Sequence, residues 1–126
     1  MAQVAVTTYE HARPKTPEVA VLDRDHLARM TFGDRSLERE VLQLFDRQSE
    51  LLLDRMRVSG PAAIATLAHT LKGSAVGIGA TRVARAAAEA EVVVRANPGE
   101  SDRVIAELAQ AVDEARAEIS ALIRAH

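Results

Sequence analysis

The chain has 126 residues, a formal net charge of −2, no cysteine or tryptophan, two phenylalanines and one tyrosine. That length suits one domain whose core needs no staples, and the missing cysteines exclude a disulfide framework, a thiolate metal site and a cysteine nucleophile. The mildly acidic balance and scarce aromatics argue against nucleic acid, and the lack of a secretory signal pattern or an apolar run of about 18 residues predicts a cytoplasmic protein without a membrane partner.

Residues 1–17 hold Pro14 and Pro17 among polar residues without an apolar period, and read as a flexible leader; residues 18–126 read as one helical domain. Asp23 is placed to cap a short helix through Met30, and Gly33-Asp34 breaks it and caps the next. In that second helix, running to about Val58, Leu37, Val41, Leu44, Phe45, Leu51, Leu52 and Met56 form the expected inward period. Ser59-Gly60-Pro61 supplies a turn with proline at a helix start. The third helix is expected to reach about Val76, with Gly77 and Gly79 ending it.

A fourth helix from about Ala80 presents Val83, Ala87, Ala90 and Val94, small side chains that permit close packing on the third. Asn97-Pro98-Gly99 is a stop. Ser101 is the expected cap of the last helix, whose Val104, Leu108, Val112, Ala115, Ile119 and Leu122 face inward. The pattern predicts an all-α fold, an antiparallel four-helix bundle with a short additional N-terminal helix. Four helices can close a core alone, so a monomer is expected.

The third helix holds the most informative residue. At about 100° per residue, Ile64, Leu67, Ala68, Leu71, Ala75 and Ile78 share one apolar stripe, and His69 falls about 150° from it. An imidazole facing water is largely uncharged at neutral pH and keeps one nitrogen lone pair, which is nucleophilic. Ala62, Ala65, Thr66, Gly73 and Val76 are read on the same outward side, a flat patch suited to docking of another protein. Gly73 in a helix interior costs roughly 1 kcal/mol against alanine; close approach of a partner or crowding against a neighbouring helix would each account for it. Lys72 places a cation where a phosphoryl group on the ring would carry negative charge. His11, His26 and His126 lack such surroundings and are read as surface residues.

If the third and fourth helices form a hairpin about residues 77–79, residues 85–91 return level with His69. Glu91 then either reaches the ring, where its carboxylate would fix the tautomer, or pairs with Arg95 at i+4.

His69-Thr70-Leu71-Lys72-Gly73-Ser74-Ala75, followed by Gly79-Ala80, resembles the signature of histidine-containing phosphotransfer (HPt) domains of bacterial multistep phosphorelays. The similarity extends over roughly residues 20–125, with Val21-Leu22-Asp23, Gly33-Asp34 and the leucine-rich helix behind them. The resemblance implies that His69 accepts a phosphoryl group from a receiver-domain aspartate and passes it to another receiver, with Lys72 and Gly73 supporting the site. It also implies response-regulator receiver domains as partners, a hybrid histidine kinase as a further candidate, no cofactor in this chain, and Mg on the partner receiver. The chain would be a phosphoryl carrier without an ATP-binding site of its own. Two other readings compete. The phosphorylated domain of a chemotaxis-type histidine kinase has a similar bundle and motif, but is normally followed by dimerisation and ATP-binding domains for which this length leaves no room; a helical adaptor would bind a partner without passing phosphate.

Overall fold

The computed structural model describes residues 20–125. The expected leader, with His11, lies outside the described residues, as does His126. Among the described residues the fold is all-α: a four-helix bundle with a short extra helix at its N-terminal side.

The first two helices start at aspartate caps. In α1 (Arg24–Met30) the Asp23 carboxylate accepts the His26 N–H at 3.0 Å, and in α2 (Arg35–Arg57) the Asp34 carboxylate accepts the Ser36 and Leu37 N–H groups at 2.9 and 3.1 Å. Both satisfy donors that have no partner inside the helix. Between them the chain turns left-handed at Phe32 and Gly33, with φ of 55° and 72°. There the Gly33 and Phe32 N–H groups return to the carbonyls of Ala28 and Arg29, closing the end of α1. In α3 (Pro61–Ile78) Pro61 opens the helix where its missing N–H costs nothing. α4 (Thr81–Ala96) follows after two residues, then a 3₁₀ turn (Pro98–Glu100) and α5 (Ser101–Ala125).

The helices α2 to α5 pack as neighbours in chain order, with α5 returning against α2, and α3 and α4 sharing the largest interface. Leu42, Phe45, Leu52 and Met56 of α2, Ile64, Ala68, Leu71 and Ala75 of α3, Val83, Ala87, Ala90 and Val94 of α4, and Leu108, Val112, Ala115 and Ile119 of α5 meet in one core. Burying one such leucine contributes roughly 2 kcal/mol, so the apolar stripes rather than intrinsic propensity carry the bundle. Arg116 also ties α5 to α2, donating to Asp46 at 2.7 Å and to Glu50 at 3.4 Å.

Five sequence expectations are corrected. Leu44 and Leu51 point outward at 59% and 51% exposure, while Leu42, Ser49 and Leu53 face in; the apolar residues of α2 span a little over half its circumference, and contact with α3 and α5 chooses which part of that arc is buried. Ala65 is fully buried, not part of the outward patch, because α4 packs close enough to widen the buried stripe of α3. Gly77 does not end α3, which continues through Ile78; Gly79, at φ 81°, is the left-handed terminus. Ser101 is not a cap. Its backbone is already helical and its hydroxyl donates to Pro98 O at 2.7 Å, while the Asn97 side chain accepts the Gly99 N–H. His26 is not a free surface residue: half-buried, its Nε2 meets Gly77 O at 3.1 Å and so covers one of the open carbonyls at the end of α3.

Candidate functional site

The inward stripe of α3 holds His69 outward, and its side chain is 63% exposed. Around it Ala62, Thr66, Gly73 and Val76 are exposed as expected, whereas Ala65 is not. A Cβ built on Gly73 would meet nothing within 4 Å. Crowding against a neighbouring helix therefore does not account for this glycine; its effect is to leave the surface one turn beyond the ring bare.

The α3–α4 hairpin brings the second component. Gly79 reverses the chain in the left-handed conformation, and small residues on α4 seat it closely on α3. His69 Nδ1 then lies 3.1 Å from Glu91 Oε1. The other carboxylate oxygen, Oε2, lies 3.6 Å from Arg95 Nη2. The two partners that the sequence posed as alternatives for Glu91 are both present, because a carboxylate has two oxygens to share. Arg95, one turn past Glu91, is a member of the site that sequence reasoning treated only as a competitor.

The charge states follow. The hydrogen bond from His69 is the main cause that holds the Glu91 carboxyl below its ordinary value of 4.5; partial desolvation opposes it, and the positive charges of Lys72 and Arg95 reinforce it. Glu91 is thus an anion at neutral pH and can only accept. The nitrogen facing it, Nδ1, must carry the proton, which leaves the lone pair of the neutral ring on Nε2. The pairing gives the neutral His69 ring a defined tautomer, with its free lone pair on Nε2. Among the described residues, no group of three or more His, Cys, Asp or Glu side chains could hold a metal ion, and no helix is long and apolar enough to cross a membrane.

Residues 38–123 match the model of the Hpt domain family. The chain belongs to the Hpt family. No curated protein matches it in sequence. Its Hpt fold is similar to the crystal structure of a rice protein described as a histidine-containing phosphotransfer protein, with a TM-score of 0.73, 13% identity, and coverage of 98% of this chain and 89% of that one. At that identity the likeness speaks for the fold alone. The Hpt assignment gives the chain a role in histidine phosphotransfer, and Hpt domains are carriers rather than ATP-binding kinases.

Proposed function

We propose that this protein is a cytoplasmic phosphorelay intermediate in which His69 accepts a phosphoryl group from the aspartyl phosphate of one receiver domain and passes it to another. The observation that carries this reading is the pairing of an exposed His69 with Glu91, which leaves Nε2 with its lone pair beside the bare surface at Gly73. The P–O bond of the receiver breaks as the Nε2–P bond forms, with charge spread over the equatorial phosphoryl oxygens. Lys72 offsets that charge from this side. The receiver supplies the Mg and the acidic pocket, and its loops pass over Gly73. The domain works as a monomer, and its partners are receiver domains, including that of a hybrid histidine kinase.

The test is incubation with ³²P-labelled phospho-receivers. Label should move to the protein, be acid-labile and base-stable, and vanish with His69→Gln. Substantial labelling of His69→Gln would overturn the assignment.

A further inference from the structure

One cation of the site, Arg95, has no task in the transfer step itself. Arg95 stands on the far oxygen of the carboxylate that holds His69, 3.6 Å away. Glu91 is the anchored member, its side chain only 20% exposed against 56% for Arg95. The charged groups that act on the Glu91 carboxylate are His69 and Lys72 from α3 and Arg95 from α4.

What Arg95 controls follows from the proton on Nδ1. When Nε2 attacks, Nδ1 keeps its proton, so the product is a phosphorylated imidazolium and no proton leaves. Onward transfer breaks the Nε2–P bond and returns the bonding pair to Nε2. If Nδ1 is protonated the leaving group is neutral imidazole; if it is not, the leaving group is imidazolate, which is far poorer. The proton on Nδ1 therefore keeps the phosphoryl group mobile, and its loss stores it. An ionised Glu91 accepting from Nδ1 favours the proton. A guanidinium on the other oxygen draws off part of the carboxylate's charge and loosens that hold.

We infer that Arg95 is a positioning residue that sets the lifetime of phosphorylated His69 by sharing Glu91 with its ring. The inference deepens the phosphorelay reading and rests on it. Arg95 acts through Glu91, not on the phosphoryl group, and its leverage is that of a partly exposed ion pair, about twofold in rate. Lys72 is a poorer probe, being assigned to the phosphoryl group itself.

The experiment has two arms, on the full chain. In the first, ¹⁵N-detected NMR reads the one-bond N–H coupling and shift of His69 Nδ1 in the unphosphorylated protein, a measure of its hydrogen bond to Glu91. In the second, phosphoramidate loads the ring without any receiver, and loss of phosphate is timed across pH. Arg95→Met should strengthen the Nδ1 hydrogen-bond signature and shorten the neutral-pH lifetime about twofold, Glu91→Gln should move both the other way, and Arg95→Lys should behave as the unsubstituted protein. In a Glu91→Gln background, Arg95→Met should change neither. An unchanged signature and lifetime in Arg95→Met, or an equal change with and without Glu91, overturns the inference. Failure of every receiver to transfer would instead strike the phosphorelay reading, since both arms run without one.

Discussion

Asp23 donates its backbone N–H to the carbonyl of Gly79 at 2.8 Å, and a Cβ added to Gly79 would stand 2.9 Å from the carbonyl oxygen of Asp23. The start of α1 is thus held against the residue that reverses the chain between α3 and α4. Gly79→Ala faces two costs, a left-handed backbone worth about 1–2 kcal/mol and a backbone contact that cannot rotate away. We expect a loss of roughly 2 kcal/mol or more, measured as a lower urea midpoint with α1 amides exchanging faster. An unchanged midpoint would show that α1 yields freely.

Gly73 should behave oppositely. Its surroundings are open, so Gly73→Ala should stabilise the protein by up to about 1 kcal/mol through helix propensity. Gly73→Gln should also keep the fold, yet weaken receiver affinity and slow transfer. Lys72→Ala should bind receiver comparably and slow the single-turnover rate. Affinities and rates measured at one ionic strength separate the two effects; if Gly73→Gln binds and transfers normally, the docking role of this face is wrong.

For His69→Gln we expect unchanged helical content and a stability shift within about 0.5 kcal/mol, as suits an exposed position. Thermal melts check this beside the labelling assay. A large loss of stability would mean that the ring is a structural member, and the absence of label would then say nothing of chemistry.

The Glu91 carboxyl titrates below its ordinary value of 4.5 in the folded protein. A depressed folded value means that its stabilising contribution is fully present above the unfolded value and is lost as pH falls through the folded one. Acid unfolding curves of the protein and of Glu91→Gln should therefore differ at neutral pH and converge below pH 4.5. A constant difference down to pH 3 would contradict the ionised pairing with His69.

Where one face of a helix was apolar and the other polar, the sequence was readable. Val83, Ala87, Ala90 and Val94 of α4 and the six inward residues of α5 all lie where their period placed them. In α2 the period held for Phe45, Leu52 and Met56 but failed at Leu44 and Leu51, because its apolar residues span a wider arc than the core covers and the buried face is rotated toward Leu42, Ser49 and Leu53. It failed again at Ala65, whose burial depends on how near α4 comes, a distance no single helix encodes. In the candidate site, the outward placement of His69 and Gly73 was legible from local spacing. Glu91 was legible only as one of two options, because its place depends on the hairpin and its two oxygens act separately. His26 was misread, since its partner, Gly77 O, is backbone and leaves no trace in side-chain patterning.

The alanines between α3 and α4 act as a spacer gauge for the His69–Glu91 pair. Glu91 reaches His69 because Ala87 and Ala90, with Ala65 and Ala68 opposite, carry nothing longer than a methyl group, and each is fully buried. Larger side chains there would push the helix axes apart, and an ångström of separation is enough to turn a 3.1 Å bond into a gap filled by water. The pairing of an exposed histidine is in this way machined by residues that solvent never touches.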